Sequence, residues 1–263
     1  MYAFAYDKPT TLADVLQKIG AGGQPLAGGQ TLIASLKQRL AQPETLVDLA
    51  GVAELAGIRR EANALVIGAM TRHEAVAGSA EVQQAIPALA ALAGGIGDRQ
   101  VRAMGTMGGS VANNDPAADY PAAVLGLGAT VHTSQRQIAA DDFFQGMYTT
   151  ALEPGEIITA ISYPVPLKAA YAKFRQPASR FALVGVFVAQ TASGVRVAIT
   201  GAGNGVFRHA GLEAALGGDF SPSAVDGVTI DASDLNSDLH ASAEYRAQLI
   251  KVQARRAVAQ ANG

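Results

Sequence analysis

Two glycine pairs, each close to a small hydroxyl residue, constrain this chain more than any other feature in it. The first lies in PLAGGQTLI, from Pro25 to Ile33. A short apolar stretch precedes it. In the TLIASLKQRL that follows, Leu32, Ile33, Leu36 and Leu40 recur at helical spacing. The expected order is strand, glycine turn, helix. Such a junction presents unshielded amides at a helix start, which suits phosphate or pyrophosphate. Ala27, Gly28, Gly29, Gln30, Thr31 and Leu32 are the candidate residues, with Thr31 adding a hydroxyl donor. A sharp turn with no ligand explains the two glycines equally well. The stretch is neither a P-loop, lacking Gly-Lys-Ser/Thr, nor a GxGxxG fingerprint.

The second pair lies in MGTMGGSVANNDPAADYP, residues 104–121. No helix or strand period fits these residues, and they read as a long polar loop inside an apolar chain. Thr106, Met107, Gly108, Gly109 and Ser110 repeat the combination of bare backbone and hydroxyl. Asp119 offers a carboxylate to a ribose or another hydroxylated group. An elaborate turn with Asx caps is the plainer reading. Two such sites in one domain favour a two-sided cradle for a diphosphate.

Around these stretches the pattern is α+β. TLADVLQKI has an apolar stripe and a capping box from Thr11 to Asp14. ALVIGAM, GATVHT and EIITAISYP read as strands, and TRHE, with capping-box spacing, as a helix start that places His73 in the first turn. After YPVP the texture changes. YAKFRQ, FALVGVFVAQ and GVRVAIT are strand-like, and residues 241–260 form a terminal helix whose cations suit the helix dipole. The expected domains are 1–165, with subdomains about 1–55 and 56–165, and a smaller 166–263 domain of antiparallel strands and helices.

Composition removes several functions. There is no cysteine among the 263 residues, so no Cys-ligated cluster, Cys-ligated zinc or thiol-linked flavin belongs to this chain. The four histidines are far apart in sequence, with no local metal pair. A formal net charge of −2 argues against a nucleic-acid footprint. No apolar run approaches the ~20 residues that span a bilayer. The first residues lack the pattern of a secretory signal, so the expected location is cytoplasmic. GAGNGVF (201–207) follows a strand but misplaces the third glycine of a dinucleotide fingerprint, and reads as a turn. Asp141–Asp142 before two phenylalanines read as a cap with core aromatics, and no nucleophile elbow or catalytic base stands out.

The two glycine stretches, in this order, resemble the flavoprotein (medium) subunit of the molybdenum hydroxylases, the xanthine dehydrogenase and aerobic carbon monoxide dehydrogenase family. The resemblance runs through FAYDKPTTLADVL, AGGQTLI, VRAMGTMGGSVANNDPAADYPAAVLGL, DDFFQGMYTTALEPGEIITAI and SDLHASAEYRAQLIKVQARRA, nearly the whole chain. The separate medium subunits of the carbon monoxide dehydrogenase type look most similar.

This resemblance implies a two-part FAD-binding domain of the vanillyl-alcohol-oxidase-like (PCMH-type) fold, then a smaller C-terminal domain. It implies that Ala27–Leu32 and Thr106–Ser110 hold the FAD pyrophosphate. Asp119 would lie near the ribose, with Leu152 and Arg175 near the flavin. Met107 stands where relatives carry isoleucine, and Arg175 where they often carry lysine. The implied function is electron transfer without a catalytic acid or base on this chain. Electrons would come from a molybdenum-pterin centre on a large subunit, through two [2Fe–2S] clusters on a small subunit, to FAD and an external acceptor. The assembly would be a dimer of heterotrimers. A self-contained FAD oxidoreductase with its own substrate pocket and a cofactor-free scaffold subunit are the alternatives.

Overall fold

The computed structural model describes residues 1–263. It begins with a small parallel sheet. Strands β1 (Ala5–Asp7) and β2 (Gln24–Leu26) flank β3 (Thr45–Asp48). Helix α1 (Leu12–Gly20) follows β1 and is capped by Thr11, whose hydroxyl accepts from the Asp14 amide; the Asp14 carboxylate accepts from that hydroxyl rather than from the Thr11 amide, so half of the capping box forms. Helix α2 (Leu32–Lys37) is shorter than the leucine spacing predicts, and Leu40 lies beyond it, exposed. The strand expected before the first glycine pair is β2, whereas β1 and β3, at three and four residues, are too short to show a period.

A five-stranded antiparallel sheet comes next. Its strands are β4 (Ile58–Glu61), β5 (Ala64–Gly68), β6 (Thr130–Thr133), β7 (Gln137–Ala139) and β10 (Ile158–Pro164), in the order β4-β5-β10-β6-β7. Between β5 and β6 run six helices: α3 (His73–Gly78), α4 (Ala80–Ala85), α5 (Pro87–Gly94), α6 (Arg99–Met104), α7 (Met107–Asn113) and α8 (Tyr120–Leu127). One turn, α9 (Ala140–Phe143), leads into the hairpin β8 (Phe144–Gly146) and β9 (Thr149–Thr150). Phe143 is buried, as a core aromatic should be, while Asp141 pairs with Arg196 and Arg208.

The C-terminal sheet is antiparallel, in the order β11 (Lys168–Arg175), β12 (Ala182–Thr191), β13 (Gly194–Thr200), β14 (Phe207–Arg208). Helices α10 (Ala210–Gly218) and α11 (Ala243–Asn262) cover one face. Helices α5 and α8 cover the other. Strand β12 is therefore buried on both sides, which its unbroken apolar run ALVGVFVA requires. Val184, Val186 and Val188 face α11, whereas Phe187 and Ala189 pack into the core of the first sheet. The expected smaller domain thus shares apolar packing with the part that precedes it. The cations of α11 do not sit in its last turn; Lys251 and Arg255 instead hold Asp226.

Candidate functional site

The first glycine stretch leaves β2 and enters α2. Gly29 has φ +70°, a left-handed turn that glycine adopts without strain. The backbone amides of Ala27, Gly28, Gly29, Gln30, Thr31 and Leu32 donate to no protein acceptor. Six consecutive free amides are an unusual concentration of donors, because most backbone N–H groups in a folded chain are paired. Thr31 caps nothing and its hydroxyl is free of protein partners.

The bareness of Gly28 has a second cause. A Cβ there would run into Met104 O and stand 2.7 Å from Gly105 Cα. Similarly, a Cβ on Gly109 would lie 3.2 Å from Ala27 Cβ. The two stretches therefore touch, backbone against backbone, as a two-sided site requires.

The second stretch is not the long loop its composition suggests. Residues Met107–Asn113 form α7, capped by the Thr106 hydroxyl, which accepts from the Gly109 amide at 3.2 Å. Asn114 ends the helix in the left-handed region at φ 44°. Two glycines and a serine concealed the helical period. The amides here are also engaged: Met107 N donates to Thr71 O and Gly108 N to Ala69 O. The second motif is a wall beside the first rather than an equal row of donors. The Thr71 hydroxyl, expected to cap α3, bonds Gly57 instead, and the helix starts after Arg72.

The segment that follows α7 is stitched from three directions. Asn114 Nδ2 donates to Gly146 O and Thr149 O, fastening the hairpin. Thr200 Oγ1 bonds Pro116 O and Ala118 O, and Gly201 N donates to Pro116 O. Asp119 begins α8 and is buried. Tyr171 Oη donates to it at 2.6 Å, and Lys173 Nζ reaches both carboxylate oxygens at 2.9 Å while also meeting Gly95 O. Burial pushes the Asp119 carboxyl above the ordinary range, while Lys173, Tyr171 and Arg175 pull it back. Leu152, just after β9, is half-buried and packs against the main core. The Arg175 guanidinium lies beside Gly95, away from the first glycine stretch.

Beneath the second motif sits His73, only 4% exposed, with its ring 5.3 Å from that of Tyr120. Burial, helped by Arg102, lowers its pKa from 6.5 to about 4. The folded protein thus holds His73 neutral where the unfolded chain binds a proton. Its contribution is complete above pH 6.5 and is lost as pH falls toward 4, amounting to about 2 kcal/mol by pH 5. The melting temperature should fall less between pH 7 and 5 in His73→Phe than in the parent. Equal slopes would refute a neutral His73.

Residues 2–166 match the family described as FAD binding domain in molybdopterin dehydrogenase. The carbon monoxide dehydrogenase medium chain of Afipia carboxidovorans is 37% identical, over 98% of this chain and 96% of that one. The glyceraldehyde dehydrogenase medium chain of Sulfolobus acidocaldarius is 33% identical, over 95% of each. A chain of reconstituted CO dehydrogenase from Oligotropha carboxidovorans superposes with a TM-score of 0.91 at 36% identity, covering 99% of this chain and 98% of that one. With a contiguous row of free amides walled by a second glycine motif, and with likeness along its whole length, this chain belongs to the FAD-binding (medium) subunit family of the molybdenum hydroxylases.

Proposed function

We propose that this chain carries FAD and serves as the electron-transfer subunit of a molybdenum hydroxylase. It takes electrons from [2Fe–2S] clusters of a small partner subunit and passes them to an external acceptor. The observation that carries this reading is the unpartnered amide row of Ala27–Leu32. A pyrophosphate has the charge and the acceptors that six bare donors call for. Gly108, Gly109 and Ser110 would close the far side, with Thr31 and Thr106 supplying hydroxyls. Leu152 and Arg175 would lie toward the flavin, and Asp119 toward the ribose through the network it shares with Lys173. FAD supplies the redox chemistry when bound, while the chain positions it and tunes its surroundings. No catalytic acid or base is needed on this chain, and none presents itself.

Substrate hydroxylation belongs, in this reading, to a large subunit with the molybdenum-pterin cofactor. The assembly is a dimer of heterotrimers in the cytoplasm. No helix of the chain is long and apolar enough to cross a membrane. A free-standing FAD oxidase and a cofactor-free scaffold are less favoured. Its relatives are named as medium chains, and a scaffold has no use for an open amide row.

Native purification tests the proposal. Two further chains bringing molybdenum and iron, with about one flavin per copy of this chain, is the expected result. A chain that purifies alone and without flavin absorbance would sink it.

A further inference from the structure

Helix α6 forms one rim of the cradle. It ends at Met104, whose carbonyl is the atom that a Cβ on Gly28 would strike. It begins at Arg99, about 8 Å away along the axis, since each helical residue advances about 1.5 Å. Three arginines stand on this rim. Arg99 and Arg102 are three positions apart and so are neighbours on the helix surface. Arg102 Nη1 donates to Ile96 O at 2.9 Å and to Gly97 O at 3.3 Å. Arg180 reaches the same Gly97 O with its own Nη1, at 3.2 Å. The turn between β11 and β12 delivers it there: Gln176 Oε1 accepts from the Ala178 and Ser179 amides, and Arg180 stands at φ 64°. A long side chain in the left-handed region is uncommon and strained, and such strain gathers at functional positions.

None of the three has an ion pair, whereas Arg59, Arg136, Arg196, Arg208, Arg246 and Arg255 each do. The one acidic residue between Gly94 and Gly105 is Asp98, and it is occupied in capping α6, where it accepts from the Val101 amide at 2.8 Å. Arg99 and Arg180 are exposed and Arg102 is half-buried, so their charges face solvent. The chain as a whole carries a formal net charge of −2. The rim therefore has a local field opposite in sign to that of the molecule around it. A field of one sign beside a site raises the local concentration of oppositely charged molecules and their rate of encounter.

We propose that this arginine rim is an electropositive port for the external acceptor: Arg99, Arg102 and Arg180 draw a negatively charged oxidant to the reduced cofactor and turn a positively charged one away. The inference rests on the electron-transfer reading and deepens it by giving the acceptor a charge. The field acts before contact, so it sets the rate of encounter rather than the hold on FAD.

Reoxidation of the reduced holoenzyme complex, followed by flavin absorbance, tests it with two oxidants of opposite charge. Ferricyanide is a trivalent anion and hexaammineruthenium(III) a trivalent cation. Each takes one electron, so two of either reoxidise one flavin reduced by two electrons, whose protons pass to solvent. At about 0.01 M ionic strength, where charges are felt over about 30 Å, Arg99→Glu should slow ferricyanide about fivefold and speed hexaammineruthenium(III) by a similar factor. Adding Arg180→Glu should enlarge both effects. Both should vanish near 1 M salt, where that length shrinks to about 3 Å. Arg60→Glu, an exposed residue of the outer strand β4, changes net charge equally and should alter neither rate. Damage to the fold would slow both oxidants at every salt concentration. The port is overturned if Arg99→Glu leaves the low-salt rates unchanged, slows both oxidants alike, or is matched by Arg60→Glu. Loss of flavin from Arg99→Glu would overturn it too, by assigning the arginine to the cofactor. A parent complex without flavin sinks the electron-transfer reading itself, whereas a flavin-loaded complex whose reoxidation ignores charge sinks the port alone.

Discussion

Gly28→Ala should strip the chain of flavin while leaving it folded. The added methyl meets Met104 O and Gly105 Cα, and both are backbone atoms that cannot rotate aside. Relief requires the first glycine stretch and the segment ahead of α7 to separate. Overpacking of this kind costs about 1–3 kcal/mol. If that cost falls on the cofactor-competent arrangement, FAD binding weakens roughly ten- to a hundredfold. Flavin absorbance per chain after gel filtration, followed by titration with added FAD, measures it. Gly217→Ala is the control: a Cβ there meets nothing within 4 Å inside α10, and it should keep full flavin. Full flavin in Gly28→Ala as well would show that the contact between the two stretches does not shape the cradle.

Lys173→Met should cause the largest loss of stability among single polar substitutions. Lys173 and Asp119 are both nearly inaccessible to solvent. Removing the ammonium strands a carboxylate among Tyr171 and the core. Breaking a buried pair in this way costs about 3–5 kcal/mol, or roughly 10 °C in melting temperature for a chain of this size. The pH dependence has a definite sign. With its folded pKa already raised by burial, Asp119 without Lys173 holds its proton to still higher pH. Stability is then lost as pH rises through that value, so the gap between variant and parent should widen from pH 4 to pH 8. Asp119→Asn in the same background should recover much of the loss and flatten the pH dependence. A pH-independent gap, or one that widens toward acid, would refute the assignment.

These two sites differ in how far the amino-acid order reveals them. Thr11 and Asp14 announce α1 because capping is local chemistry, and the apolar run of β12 announces a strand buried on both faces. The glycines of AGGQTLI are visible for the same reason. What they meet is not, since Met104 and Gly105 approach only through the fold. The segment 107–113 reads as loop because Gly108, Gly109 and Ser110 are poor helix formers, and tertiary bonds from Met107 and Gly108 to Thr71 and Ala69 override that preference. Lys173 carries no such signal. In YAKFR a charged residue at an alternate strand position ordinarily faces water, and only the packing of α5 and α8 onto this sheet turns it inward. Its partner Asp119 stands out in the sequence as a ligand carboxylate, and in the fold it holds Lys173. TRHE places His73 in its helix, whereas its burial beneath the second motif follows from topology alone.

The stitching of residues 116–118 to Thr200 and Gly201 bears on how the protein is made. Chains emerge from the ribosome N-terminus first and fold as their contacts become available. Although both glycine motifs lie in the first half of the chain, the segment that follows the second is fixed by residues more than eighty positions later. A nascent chain that has released both motifs has not yet fixed the segment that leads from the second motif into α8. Cofactor capture must wait until β13 has been synthesised and docked, so a ribosome-stalled product ending before Thr200 would carry the whole signature of a flavoprotein and no flavin.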